Sequence, residues 1–85
     1  MSADTRIGKF LTARRFAPAA GQTTSRWQIL GNDGTILGRV TWYAPWRQYT
    51  FDPAECTTFN TGCLRDIVAF LEKANREHKA GGGAP

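Results

Sequence analysis

Apolar residues recur at helical spacing near the C-terminal end of the chain. Between residues 60 and 79 they form one stripe, which is the pattern of an amphipathic helix with a single buried face. Asn60 is a suitable N-cap, and Phe59 before it and Leu64 after it are placed as a hydrophobic staple. The pattern predicts a helix over residues 60–78, buried through Leu64, Ile67, Val68, Phe70, Leu71 and Ala74.

Polar and apolar residues alternate upstream of this helix, as is typical of half-buried β-strands. Three strands are predicted, at residues 26–30, 36–43 and 46–51. The Gly-Asn-Asp-Gly sequence between the first two favours a tight hairpin turn, because Asn, Asp and Gly tolerate positive φ angles. Pro45 separates the second strand from the third, since proline is excluded from central strands. These strands make a meander that the helix is expected to cover.

The N-terminal residues support two interpretations. Ile7, Phe10 and Leu11 have helical spacing after Asp4 as a cap, whereas residues 9–16 also suit an edge strand. We favour the strand, which gives the element order ββββα. The helix would give αβββα, the element order of a double-stranded RNA-binding domain.

The expected fold class is therefore α+β, an antiparallel three- to four-stranded meander packed on one C-terminal amphipathic helix. A chain of 85 residues makes one domain. In it, residues 1–24 supply an edge strand and a loop, and residues 25–79 supply the meander and the helix. Residues 80–85 are expected to form a disordered tail, because their glycines and proline cannot continue the helix.

Positive charge is concentrated in the front of the chain. The net charge is +4 at pH 7. Residues 5–51 carry seven basic residues against one acid, Asp33, whereas residues 60–79 carry four basic residues and three acids. This asymmetry indicates a partner that meets the front half.

Strand alternation sorts the predicted meander into two faces. The apolar face, expected under the helix, contains Trp27, Ile29, Ile36, Val40, Trp42, Tyr49 and Phe51. The other face is polar and basic, with two aromatic residues at its hairpin end, which suits an interface better than a solvated surface. Alternatively, Trp46 only folds over the hairpin end or the helix, and Arg39 and Arg47 pair with Asp52, Glu55 or Asp66. The predicted binding residues are Arg26, Arg39, Tyr43, Trp46, Arg47 and Gln48.

Residue types that catalyse reactions or bind metals are sparse. His78 and Cys63 stand fifteen residues apart on the predicted helix, about 22 Å at 1.5 Å per residue, too far for a Cys–His pair. Neither Cys56 nor Cys63 has a second Cys or His at metal-ligand spacing. We expect free thiols, with a Cys56–Cys63 bridge as the less favoured alternative. The prediction is a protein that is not an enzyme and needs no cofactor or metal.

No part of the sequence has the pattern of a membrane or secretion segment. No apolar run approaches the roughly 20 residues that cross a bilayer, and the first residues are polar. We expect a cytoplasmic protein with no membrane partner.

A hairpin motif and a helix motif carry a family resemblance. Residues 37–51 read LGRVTWYAPWRQYTF, and they are followed by Thr58, Phe59 and the CLRDI sequence at residues 63–67. This combination resembles a group of small bacteriophage and prophage proteins with an LGxVxWYxPWRxYxF hairpin and a CLxDIxxFL helix. The resemblance covers about half of the chain. It implies a strand-rich front and a phage accessory origin, and it brings no activity.

Two classes of function fit these patterns. The first is a non-catalytic phage accessory protein that binds a host protein or nucleoprotein complex through the basic-aromatic face, for example an inhibitor of host antiviral defence such as an anti-CRISPR protein. The second is a nucleic-acid-binding module, in which Tyr43 or Trp46 stacks on bases and basic residues contact phosphates. We favour a protein partner, because aromatic residues at a hairpin end with few flanking lysines suit an interface anchor. The oligomeric state is left open.

Overall fold

The computed structural model describes residues 3–16 and 24–80. Across these residues the chain forms an antiparallel sheet whose strands pair in chain order, with one helix on one face. The predicted α+β fold is confirmed, with five strands in place of three to four. The elements are β1 (Ala3–Ile7), β2 (Leu11–Phe16), β3 (Arg26–Gly31), β4 (Ile36–Tyr43), a 3₁₀ turn (Ala44–Trp46), β5 (Gln48–Pro53) and α1 (Thr61–Ala80).

The N-terminal segment is a β-hairpin, so the prediction of a single edge strand was incomplete and the helical alternative was wrong. Ile7 pairs with Leu11 across a short turn in which Gly8 has a φ of +82°. The Asp66 carboxylate packs so closely on Gly8 that any side chain there would collide with it. β2 pairs with β3 on its other side. At this edge of the sheet the edge strand is therefore β1, and the strand predicted at residues 9–16 is β2, the second strand.

Three elements have boundaries one or two residues away from the predicted ones: β3 ends at Gly31, β5 spans Gln48–Pro53, and α1 spans Thr61–Ala80. β5 begins at Gln48, because Pro45 and a left-handed Arg47 (φ 54°) hold the preceding residues, including Trp46, in the 3₁₀ turn. α1 extends to Ala80, where a tail was expected. Residues 17–23, most of the predicted loop, and residues 81–85, the rest of the predicted tail, lie outside the described residues.

The core lies between α1 and one face of the sheet. Trp27 contacts Tyr49 and Phe70 edge-to-face, with ring centroids 5.4 and 5.1 Å apart. Trp42, whose position tests the face assignment, is partly buried against this core. The predicted helix-facing side is thus confirmed except at Ile36. The buried residues of this core cluster are Leu11, Ala13, Ile29, Val40, Tyr49, Ile67, Phe70 and Ala74.

Ile36 lies on the opposite face from the predicted one. The register between β3 and β4 shifts, so that Ile29 opposes Gly38 while Leu30 opposes Ile36. Leu37 is the extra residue and packs against the core, whereas Ile36 is 48% exposed. A β-bulge interrupts the two-residue alternation locally, and strict alternation therefore misplaces Ile36.

The start of α1 is capped as predicted. The Cys63 backbone N–H donates to the Asn60 side-chain Oδ1 at 2.8 Å, and the Leu64 N–H donates to the Asn60 backbone carbonyl at 3.0 Å. Asn60 therefore satisfies one backbone donor of the first turn with its side chain.

The buried stripe of α1 is narrower than predicted. Leu64 and Val68 are 47% and 51% exposed, because they lie to one side of the stripe centred on Ile67 and Phe70. Leu64 thus lies outside the core, whereas Phe59 contacts the Phe51 ring edge-to-face at 5.5 Å and joins the core there. The staple between Phe59 and Leu64 stays a prediction.

Polar contacts fix α1 to the outer strand β5. The Tyr49 backbone N–H donates to the side-chain Oδ1 of Asn75 at 2.7 Å. The Tyr49 hydroxyl accepts a hydrogen bond from the Ser25 backbone N–H at 3.2 Å, which also joins this strand to the start of β3. Tyr49 is buried, and these bonds satisfy its polar groups.

His78, near the end of α1, packs as an aromatic side chain. Its ring lies 4.4 Å from the Trp42 ring and 5.8 Å from the Tyr49 ring. Its Nε2 is buried and has no hydrogen-bond partner in the described part of the chain. The ring contacts therefore stabilise the fold, whereas burying a nitrogen without a hydrogen-bond partner lowers the free energy of unfolding.

Two substitutions separate these effects. We expect His78→Ala to lower the free energy of unfolding by about 1–2 kcal/mol through lost ring contacts, and His78→Phe to leave it unchanged or raise it by up to about 1 kcal/mol. Urea denaturation of both variants checks this. A loss in His78→Phe as large as that in His78→Ala would contradict it.

Candidate functional site

The face of the sheet away from α1 carries the polar and basic residues, as predicted. On β4, Arg39 lies between Gln28 of β3 and Asp52 of β5. Thr41 and Tyr43 follow it on the same face, because alternate residues of a strand share a face. Their cross-strand partners on β5 are Thr50 and Gln48, respectively.

The hairpin between β4 and β5 holds an exposed tryptophan in a fixed position. Pro45 restricts the turn, and the Arg47 N–H donates to the Ala44 carbonyl at 3.1 Å. Trp46 is 66% exposed, and its ring meets the Tyr43 ring edge-to-face at 5.0 Å. Tyr43 is itself 44% exposed. Two large, solvent-exposed aromatic rings thus pack against each other at the hairpin end.

A groove of about 360 Å³ runs from Trp46 along the sheet. Trp46 and Tyr43 line one end, Thr41 and Thr50 lie in the middle, and Asp52 is at the other end. Because Asp52 pairs across strands with Arg39, the groove ends where opposite charges stand side by side. We call the helix-free side of β4, β5 and their turn the hairpin surface; its residues are Arg39, Thr41, Tyr43, Trp46, Arg47, Gln48, Thr50 and Asp52.

Two arginines on the same face of the sheet are held by local contacts. Arg14 donates to both carboxylate oxygens of Asp4, at 3.1 and 3.3 Å. This hydrogen bond, followed by the charge of Asp4, raises the pKa of Arg14 further. The Arg26 guanidinium lies 4.4 Å from the centre of the Phe16 ring, a cation–π contact.

The predicted binding residues do not form one compact cluster. Tyr43, Trp46 and Gln48 meet at the hairpin end, and Arg39 lies four residues along β4, about 13 Å at 3.3 Å per residue. Arg26 lies on β3, one position beyond the Trp27–Val40 pair.

The alternative in which Arg39 and Arg47 serve only to pair with nearby acids has no support in the contacts. Among the described residues, no ion pair joins Arg39 or Arg47 to Asp52, Glu55 or Asp66. Arg39 and Asp52 are cross-strand neighbours without a salt bridge within 4.0 Å. Both groups therefore remain available to a partner.

Four residues that line the groove were absent from the predicted binding set. They are Thr41, Thr50, Phe51 and Asp52. Strand alternation already put the two threonines on the correct face. Asp52 lies one residue beyond the third strand as predicted, residues 46–51, although it pairs with Arg39 in the sheet.

Both cysteines are free. Cys56 is exposed, between β5 and α1, with a φ of 59°. Cys63 is partly buried against the core. Within residues 3–16 and 24–80, no three His, Cys, Asp or Glu side chains group in a way that could hold a metal ion. Among the same residues, no helix has an apolar stretch that could span a bilayer.

One relative places the chain among phage proteins. No family model and no solved structure matches the sequence. A 9.3 kDa protein of Acholeplasma phage L2, described as uncharacterized, is 30% identical over 60 residues, which are 69% of this chain and 77% of the phage protein. The chain belongs to the family of this phage protein. Membership in this phage family agrees with the phage type that the hairpin and helix motifs indicated, and it assigns no activity.

Proposed function

We propose that this member of the phage family is a non-catalytic accessory protein that binds a host protein or nucleoprotein complex through the hairpin surface. An inhibitor of host antiviral defence, such as an anti-CRISPR protein, is one example of this class. The hairpin motif resembling other phage and prophage proteins forms the centre of this surface.

The observation that carries the proposal is the exposure of Trp46. A tryptophan that is 66% exposed leaves a large apolar area in water, and it is fixed there by Tyr43 and by the turn. Rigid aromatic residues lose little conformational entropy on binding, and Trp and Tyr are frequent hot spots of protein interfaces. A partner with a pocket for Trp46 would bury this area.

The charges on the surface favour a protein over nucleic acid. Asp52 stands in the groove beside Arg39, and Asp4 occupies Arg14 on the same face. A phosphate backbone near these carboxylates would be repelled, whereas a protein can present both signs of charge. Polar threonines around an aromatic anchor are also typical of the rim of a protein interface.

A nucleic-acid partner remains the second candidate, on one observation. Residues 5–51 have seven basic residues against one acid, and Arg26 and Arg39 share the helix-free face with Tyr43 and Trp46. In that case the aromatic rings would stack on bases.

Affinity capture distinguishes these proposals. The tagged protein is exposed to a host lysate with and without nuclease treatment, beside Trp46→Ala and a control, Arg65→Ala, on the exposed side of α1. We expect a discrete host protein that survives nuclease, is lost with Trp46→Ala and is retained with Arg65→Ala. Capture that nuclease abolishes would favour nucleic acid, and equal capture by all three proteins would refute the hairpin surface as the site.

The thiols are expected to be dispensable for this binding. Cys56 and Cys63 lie outside the hairpin surface, one in the connection to α1 and one against the core. The double variant Cys56→Ser, Cys63→Ser should capture the same partner as the unchanged protein. Lost capture with an unchanged circular dichroism spectrum would instead assign the thiols a redox or covalent role.

A further inference from the structure

The two edges of the sheet differ in how they are protected. At β5, Asn75 accepts the Tyr49 N–H and Pro53 has no N–H to donate. Along β1, no side chain in residues 3–16 and 24–80 hydrogen bonds to the backbone of the strand. An edge strand presents alternate N–H and C=O groups to solvent and is a template for another strand. β1 is therefore the open edge.

The sequence of β1 is complementary to itself. When two copies of Ala3–Ile7 pair antiparallel about Thr5, Asp4 of each copy lies opposite Arg6 of the other. Both residues face the helix-free side, because each pairs with a residue of that face on β2, Asp4 with Arg14 and Arg6 with Thr12. Asp4 also accepts from Arg14, and Arg6 donates to the Gly8 and Lys9 carbonyls, so an Asp4–Arg6 pair between copies would add to these contacts within each copy. Opposite charges directly across an antiparallel pair stabilise it.

Neighbouring registers are disfavoured by the same two charges. Pairing about position 4 places Asp4 opposite Asp4, and pairing about position 6 places Arg6 opposite Arg6. Like charges directly opposite destabilise a strand pair. In a dimer with a two-fold axis perpendicular to the sheet, residues that lie opposite each other must have their side chains on the same face of the sheet. Of the three registers centred on residues 4, 5 and 6, only the one centred on Thr5 meets this condition and also places opposite charges across from each other.

A trench beside β1 is exposed by the open edge. It has a volume of about 210 Å³ and lies between Thr5 and Ile7 on the strand and Asp66, Ala69, Phe70 and Lys73 on α1. A second copy related by the axis at Thr5 would bring the same trench alongside with its direction reversed. The acidic end of one helix flank, Asp66, would then lie toward the basic end of the other, Lys73.

We propose that the chain forms a symmetric homodimer by antiparallel pairing of β1 with β1 about Thr5. The two sheets become one, and both helices lie on the same side of it. Because β1 and β5 are opposite edges of the sheet, both hairpin surfaces remain free. The dimer thus presents two copies of the hairpin surface. The proposed dimer does not depend on which partner the hairpin surface binds.

Analytical ultracentrifugation tests the dimer. The chain has a mass of 9.4 kDa, and we expect the weight-average mass to approach twice that value between about 1 µM and 1 mM, since a short strand pairing is a small interface. Arg6→Asp and Asp4→Arg each place like charges opposite one another twice in the dimer. Each should raise the dissociation constant by about tenfold or more.

Mixing the two variants is the decisive step. A heterodimer of Arg6→Asp with Asp4→Arg restores both opposite-charge pairs, so the mixture should recover dimers that neither variant forms alone. Arg76→Asp, a matched change on the exposed side of α1, should leave the dissociation constant unchanged. Circular dichroism confirms that each variant is folded. A monomeric parent protein, an unaffected Arg6→Asp variant, or a mixture of folded variants that stays monomeric would each overturn the proposal.

Discussion

Ile29→Ala is expected to lower the free energy of unfolding by about 2–5 kcal/mol. Ile29 is fully buried on the central strand β3, with Ala13 and Gly38 as its cross-strand neighbours. These neighbours are small, so they cannot extend into the cavity that the substitution leaves. Domains of this kind have a total stability of about 5–15 kcal/mol, and the loss would be a large share of it. Urea denaturation followed by circular dichroism measures the change.

Val68→Ala is the control for this effect. Val68 is an apolar residue of α1 that the helical pattern placed in the core, but it is half-exposed. Its truncation should change the free energy of unfolding by no more than about 0.5 kcal/mol, as for most surface substitutions. Equal losses in the two variants would mean that α1 is rotated about its axis relative to the described packing.

Trp46→Ala is expected to weaken binding of the captured partner by at least about 2 kcal/mol, roughly 30-fold, which is the size of a hot-spot truncation. The stability of the domain should stay within about 0.5 kcal/mol of its original value, because the ring is mainly solvent-exposed. Isothermal titration calorimetry with the purified partner measures the first quantity and urea denaturation the second. An unchanged affinity would remove Trp46 from the interface.

Arg39→Glu provides the comparison for Trp46→Ala. For a protein partner the substitution should act mainly on the association rate, and Trp46→Ala should have the larger effect on affinity. For nucleic acid, the slope of log K against log salt should instead fall by about 0.9 for each lost contact to duplex phosphate, or about 0.7 for single strands. Titrations at two salt concentrations distinguish the two partners.

The elements that the sequence predicted well have local signals. The C-terminal helix follows from apolar spacing and from the Asn60 cap, and the two faces of the meander follow from alternation. The N-terminal hairpin was not predicted because Ile7 and Leu11 are four residues apart, which fits one helical face as well as two strands joined by a three-residue turn. Gly8, with its positive φ, decides for the turn.

The remaining differences between the predicted and observed structure depend on tertiary contacts between residues far apart in the sequence. No sequence pattern near Leu37 predicts the β-bulge that turns Ile36 to the helix-free face. The exposure of Leu64 and Val68 depends on the orientation of α1 about its axis. Contacts with the sheet set this orientation: Asn75 accepts a hydrogen bond from β5, and His78 packs on Trp42 of β4. At the candidate site, strand alternation was enough to place Arg39 and Tyr43 on the helix-free face. The ring contact between Trp46 and Tyr43 could not be predicted, because it depends on the three-dimensional shape of the turn.

Site-specific photo-crosslinking tests the hairpin surface as the binding site most directly. Gln48→p-benzoylphenylalanine places the probe beside Tyr43 and Trp46 without removing either ring, and Glu72→p-benzoylphenylalanine places it on the exposed side of α1. Irradiation in host lysate should give a discrete protein adduct from position 48 and none from position 72. An adduct from position 72 alone, an adduct to nucleic acid, or no adduct from position 48 while the protein still captures its partner would contradict the account.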